Sequence, residues 1–168
     1  MFKKETFFSL HSSYHGLNIK DNRFKCLEKI CFVSKDQQYF EEFSVETNAK
    51  VFGTSYSNFD MDIFKSYIKE FEVPLVPSYK SLSWGQKIRF MLAFGLAHNS
   101  ELFLFDEATA GMDVVFRKDF FRLVRELIEK NNISVLMVTH LDEEMKFQAD
   151  YTMVMDNGRI EEFKENII

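Results

Sequence analysis

The chain has 168 residues, 46% of them apolar, with 26 acidic against 21 basic side chains and a formal charge of −5. That is one domain's worth of chain, able to bury about 70% of its unfolded surface, and an apolar content that includes 20 Phe residues excludes a disordered chain. It shows no basic patch of the kind nucleic-acid binding needs, no run of membrane-spanning length, and two cysteines, Cys26 and Cys31, too irregularly placed for a zinc pair and suited to a reducing cytoplasm.

Residues 1–27 carry the fewest signals. Met1-Phe2-Lys3-Lys4 mimics a signal start, but the apolar run Phe7-Phe8-Ser9-Leu10 is too short for one. Tyr14 to Ile19 suits a turn into a short strand. Lys29-Ile30-Cys31-Phe32-Val33 is rich in β-formers and predicts a strand, followed by a polar loop over Ser34 to Phe40. Ser44 caps a predicted helix over Val45 to Phe52, with Glu46 in its first turn. Asp60 caps another, in which Ile63, Tyr67, Ile68 and Phe71 share a face, and Pro74 and Pro77 end it.

The stretch from Ser81 to Asp113 is the most informative. Ser83 is a good helix N-cap, and Gly85 would let a ligand approach the backbone closely. Behind them Ile88, Met91, Leu92, Gly95 and Leu96 fall on one helical face. A helix start with free N–H groups is an anion site, or simply an ordinary capped helix. Leu102-Phe103-Leu104-Phe105 predicts a strand buried on both faces, of the parallel-sheet type whose ligands bind at the carboxyl ends. Asp106 and Glu107 sit at that end. Asp106 suits Mg²⁺ held through water, and Glu107 suits orienting or deprotonating a water; the alternative is a carboxylate pair that caps the next helix.

That helix is predicted over Val115 to Lys130, with Phe120, Leu123, Val124 and Leu127 inward and Arg117, Lys118, Arg125 and Glu126 outward. A second buried strand, Ile133 to Val138, delivers Thr139-His140 to the same sheet edge. Asp142-Glu143-Glu144 follows. Asn157-Gly158, between the strand patterns Asp150 to Met155 and Arg159 to Phe163, signals a hairpin.

Three of these segments, in order, resemble the ABC-type ATPase domain. Leu82-Ser83-Trp84-Gly85-Gln86 is similar to its signature motif, usually Leu-Ser-Gly-Gly-Gln, with Trp84 at a position that varies. Leu102 to Glu107 resembles its Walker B strand and catalytic Glu, Ala110-Gly111-Met112-Asp113 its D-loop, and His140 its switch histidine. Phe43 to Asn48 resembles a Leu-Thr-Val-x-Glu-Asn segment found after the family's Q-loop, and the glutamine of that loop aligns with Lys35, with Gln37 nearby. A cation there would repel a metal but could pair with a phosphate. The resemblance covers roughly Lys29 to Glu162, with a flavour closest to bacterial exporters of the antibiotic and multidrug type.

The resemblance implies an α/β fold: a partial P-loop NTPase core with a parallel sheet and an inserted helical subdomain at about 44–97. It divides the chain into a remnant of unclear structure, 1–27, and an incomplete ATPase domain, 28–168. It implies ATP and Mg²⁺ as cofactors, Glu107 and His140 as catalytic residues, Asp106 as metal ligand, and Ser83, Gly85, Gln86 and Asp113 as nucleotide contacts. Implied partners are a second ABC ATPase domain and a membrane permease, which would hold the chain at the inner face of the cell membrane.

One element is missing. None of the six glycines is followed by Lys, so the sequence holds no Gly-Lys-Ser/Thr loop to cradle phosphates. The expectation is a chain lacking the family's nucleotide-cradling front, either a truncated gene product or a fragment, and inactive alone. Without the P-loop strand, Leu102 to Phe105 is expected to lose a neighbour and expose an edge. The reading is an incomplete ATP-binding subunit of an ABC transporter, an exporter by resemblance. The alternatives are a non-catalytic protein that completes or blocks a partner's half-site, or a non-functional gene remnant. A translation or repair ATPase fits less well, because neither a tandem domain nor a long coiled coil is present.

Overall fold

A computed structural model of the chain describes residues 13–36, 38–140 and 149–166. In chain order the elements are β1 (Ser13–Tyr14), β2 (Leu17–Asn18), α1 (Arg23–Leu27), β3 (Ile30–Ser34), α2 (Val45–Gly53), α3 (Met61–Glu70), α4 (Trp84–Ala97), β4 (Leu102–Asp106), α5 (Val114–Asn131), β5 (Ser134–Val138), β6 (Tyr151–Asp156) and β7 (Arg159–Glu165). Phe7, Phe8, Leu10, Gln37 and Asp142-Glu143-Glu144 lie outside the described residues.

β3, β4 and β5 form a parallel sheet in that order, and their carboxyl ends align: Ser34 pairs with Asp106, and Asp106 with Val138. β4 is therefore the central strand, hydrogen-bonded on both sides. This corrects the expectation that Leu102 to Phe105 would form an edge; β3 and β5 are the outer strands of this sheet. Nor is β4 buried on both faces. Phe103 and Phe105 point into the core and are fully covered, while Leu102 and Leu104 are half-buried. On that second face, Phe32, Leu104 and Leu136 line up in register, with Phe32 44% and Leu136 45% exposed.

The covered face packs against α4, which lies between the sheet and the helices α2 and α3. Gly85, Ile88 and every residue from Phe90 to Ala97 are buried. The single apolar stripe expected for this helix is thus too narrow, because a helix apolar all round is one covered on every side. On one side, Gly95 meets β3 and β4: a Cβ there would lie 2.6 Å from both Cys31 Sγ and the Phe103 ring. On the other, Phe94 packs on Phe59 and Tyr56, and Phe90 on Tyr39, Phe64 and Tyr79, edge to face in most cases.

α3 presents Phe64, Ile68 and Phe71 to this cluster, whereas Ile63 is exposed. The inward stripe is rotated by one residue from the expected one. The helix stops at Glu70 and Glu72 takes a left-handed conformation, φ +57°, that lets Val73 N–H donate back to Ile68 O at 3.0 Å. The turn therefore ends the helix before Pro74 is reached.

Asn48, fully buried in α2, fastens the segment before that helix. Its Nδ2 donates to the carbonyls of Phe40, Phe43 and Ser44, and its Oδ1 accepts from Phe40 N–H at 2.9 Å. Asn157 and Gly158 both have positive φ and join β6 to β7 as the Asn-Gly pair predicts.

Two predictions follow from the packing. Gly95→Ala should force Cys31 and Phe103 apart and cost about 1–3 kcal/mol in denaturant or thermal unfolding; an unchanged midpoint would refute the close approach. The second concerns His98, buried against Tyr56 and bonded through Nδ1 to Glu28 O at 3.2 Å. Burial pulls its pKa down to about 4. The unfolded state then takes up the proton first as the pH falls. Stability should be full above about 6.5, the ordinary His value, and decline toward pH 4, by roughly 3 kcal/mol at most. His98→Asn should flatten that limb of the stability–pH curve, leaving the decline due to carboxylates below it.

Candidate nucleotide site at the carboxyl edge of the sheet

Parallel strands deliver their carboxyl ends to one edge, and β4 brings Asp106 there with its side chain exposed. The next residue turns sharply. Glu107 adopts φ +49°, a left-handed conformation uncommon for a residue other than Gly, and its N–H donates to Val138 O at 3.0 Å. That hydrogen bond binds the turn to the end of β5. His140, two residues beyond β5, thereby comes beside it: His140 Nε2 lies 3.4 Å from Glu107 Oε1. This is longer than a good N–H···O hydrogen bond, and Oε1 is buried without one. His140 itself is 94% exposed. Asp106, Glu107 and His140 thus share the edge to which the sequence assigns them.

The D-loop residues continue from this turn. Ala108 and Thr109 are fully buried, Gly111 has φ +80°, and Asp113 caps α5, accepting from Phe116 N–H at 2.9 Å. Asp113 is expected from the sequence to contact nucleotide; its carboxylate is here engaged in the cap.

The signature segment stands on the start of α4. Ser83 Oγ accepts from Gln86 N–H, and Gln86 Oε1 accepts from Ser83 N–H at 2.9 Å, a reciprocal capping box. Trp84 Nε1 donates to Ala108 O at 3.0 Å and so ties the signature to the turn that leads into the D-loop. Gly85 is buried, and the atom pressed against its Cα side is from this chain: a Cβ there would collide with the Phe116 ring. On that side α5 fills the space that the missing side chain leaves, and the close approach at Gly85 is made by Phe116. Phe116 was invisible as a site neighbour because it belongs to a different helix. The one hint was a Gly in a first helical turn that the capping geometry does not require.

Lys35, at the Q-loop position, donates from Nζ to Ala110 O at 2.7 Å and lies 5.5 Å from the centre of the Trp84 ring. Its ammonium is therefore committed to the D-loop and the indole face, a role that sequence reasoning did not reach.

Among the described residues no cluster of three His, Cys, Asp or Glu side chains could hold a metal by itself. Mg²⁺ is commonly held by one or two carboxylates plus phosphates and waters, so exposed Asp106 fits as a single protein ligand. A phosphate cradle is a different matter. No Gly-Lys pair occurs in the sequence, and these residues supply no loop to hold the phosphates.

The family model for ABC transporter matches residues 11–110. The ABC transporter ATP-binding protein YtrB of Bacillus subtilis is 26% identical over 164 residues, 92% of this chain and 55% of that protein. The molybdenum import ATP-binding protein ModC of Vibrio parahaemolyticus is 28% identical over 157 residues, 90% of this chain and 40% of that protein. The structure of cbiO1 from Clostridium perfringens, described as part of the ABC transporter complex cbiONQ, superposes with a TM-score of 0.76 at 23% identity, covering 91% of this chain and 64% of that one. The chain spans less than two thirds of each of these proteins. With the family model covering more than half of its residues, and with its parallel-sheet fold shared with cbiO1, the chain belongs to the ABC transporter ATP-binding family.

Proposed function

We propose that this chain is an ATP-binding subunit, or part of one, that works with a second ABC ATPase domain and a membrane permease. Within that pair it serves chiefly as the donor of one half-site. The observation that carries this reading is the convergence of the signature turn, the D-loop and the Asp106–Glu107–His140 edge on one end of the parallel sheet. No helix among the described residues is long and apolar enough to cross a membrane, so any link to one would run through a partner. The exporter direction finds no support among the compared relatives, one of which is described as an import protein.

The asymmetry follows from the residues. In a head-to-tail pair, Ser83, Gly85 and Gln86 serve a nucleotide held by the partner's P-loop. The helix start there offers unpaired first-turn N–H groups and a partial positive charge to the γ-phosphate. Asp106, Glu107 and His140 serve this chain's own nucleotide. Bound Mg-ATP would supply the reactive phosphoryl group and the metal's charge neutralisation. Asp106 would hold the metal through water, Glu107 would orient a water and accept its proton, and His140 would donate a hydrogen bond to phosphate oxygen. These groups achieve little unless something holds the phosphates within reach.

Two measurements test this. The purified 168-residue chain should bind Mg-ATP weakly and show negligible turnover; robust turnover that Glu107→Gln abolishes would reveal a phosphate-binding loop the sequence does not display. Mixed at rising concentration with an ABC ATPase domain whose own signature is disabled, the chain should restore turnover. Ser83→Glu, which places a negative charge at the helix start, should cut that assisted rate about 100-fold or more, whereas Glu107→Gln should leave it nearly intact. Equal damage by both variants defeats the asymmetric model, and no effect of either defeats half-site donation.

A further inference from the structure

The chain departs from the family pattern at two positions far apart in sequence, and the two departures touch. Lys35 replaces the Q-loop glutamine, and Trp84 stands where the signature usually has its first Gly. The Lys35 ammonium lies 5.5 Å from the centre of the Trp84 ring, within cation–π range. Each also donates to the same short loop: Lys35 Nζ to Ala110 O at 2.7 Å, Trp84 Nε1 to Ala108 O at 3.0 Å. The loop itself closes against the ammonium at Gly111, where a Cβ would lie 3.7 Å from Nζ. A glutamine at position 35 would have neither the charge nor the reach to make both of its contacts. A glycine at position 84 would offer neither an indole N–H nor an aromatic face. Each departure thus has its physical partner in the other.

We infer that Lys35 and Trp84 are positioning residues that together clamp the signature turn, Ser83–Gln86, onto the 108–111 loop by contacts within this chain, with no nucleotide needed to assemble them. The inference rests on the half-site reading for its use: a helix start whose partial charge must meet a partner's γ-phosphate acts best when its place is fixed beforehand. It also gives Lys35 a role that the sequence did not suggest: its cation is held by a carbonyl and an indole.

Trp84 is the only tryptophan, so its indole N–H gives one resonance whose hydrogen exchange reports the clamp directly. In the purified chain, protection of that N–H should be the same with and without Mg-ATP. Lys35→Met should raise its exchange rate about two- to fivefold. Lys35→Arg, which keeps the charge and stacks on aromatic faces, should stay within about twofold of the parent. Lys80→Met, which removes a surface lysine paired with Glu42, should change nothing. Unchanged protection in Lys35→Met overturns the clamp, as does an Arg variant that exchanges as fast as the Met variant. Protection that Mg-ATP strengthens by as much as Lys35→Met weakens it also overturns it. The readout needs no turnover. Loss of protection in Lys35→Met with failed half-site donation by the parent would sink the functional reading and leave the clamp, whereas intact protection sinks the clamp whatever the turnover.

Discussion

The distance between α4 and the sheet is set at Gly95, and much else is set with it. With only hydrogen facing Cys31 and Phe103, the helix axis comes closer to β3 and β4 than any side chain would allow. Cys31 can then donate to Met91 O at 3.5 Å. From Phe90 to Ala97 the helix is left with no face toward water, which is why Phe90 and Phe94 must find cover from Tyr39, Tyr56, Phe59 and Phe64 on the far side. Those aromatic contacts hold α2, α3 and the loop before α2 to one core rather than to a satellite of it. The start of the same helix carries the signature turn. The packing that fixes its middle therefore also fixes where Ser83 and Gln86 stand.

At the carboxyl edge of the sheet, order comes from strand pairing and one backbone excursion. Parallel register alone puts Ser34, Asp106 and Val138 in a row. The left-handed turn at Glu107 then uses Val138 O as its anchor, so the chain leaving β4 crosses toward β5 and meets His140. A conformation that costs of order 1–3 kcal/mol for a residue other than Gly persists where its surroundings over-determine it. Here the anchor on Val138 and the buried Ala108–Thr109 pair that follows do so.

What the sequence made legible was local. The Asn-Gly hairpin, the Ser44, Asp60 and Ser83 caps and the three parallel strands are each written in adjacent residues, and each appears at its expected place within one or two positions. The convergence of Asp106 and His140 was legible because strand ends in a parallel sheet share an edge. The misses are all questions of what lies across from a residue. Periodicity gave α4 one buried stripe because it could not count three neighbouring layers. In α3, Ile63 and Phe64 compete for the inward place; the cluster around Phe59 and Phe90 selects Phe64. That Phe116 presses on Gly85, that Asn48 collects three carbonyls and that β4 is central rather than an edge all depend on long-range partners that no window of sequence contains.

The two halves of the site differ in how completely their polar groups are satisfied, and this difference bears on function. Around the signature, Ser83, Trp84, Gln86 and Lys35 each have a protein partner at hydrogen-bond distance. Groups satisfied in this way need little reordering when a ligand arrives. Around the Walker B turn the reverse holds. Asp106 is exposed, Glu107 Oε1 is buried without a hydrogen bond, and His140 stands in solvent at 3.4 Å from it. A buried carboxylate oxygen without a donor is costly, and protonated His140 or a bound water would relieve it. The proposed donor surface is thus satisfied within the chain, and the Asp106–Glu107–His140 edge is not.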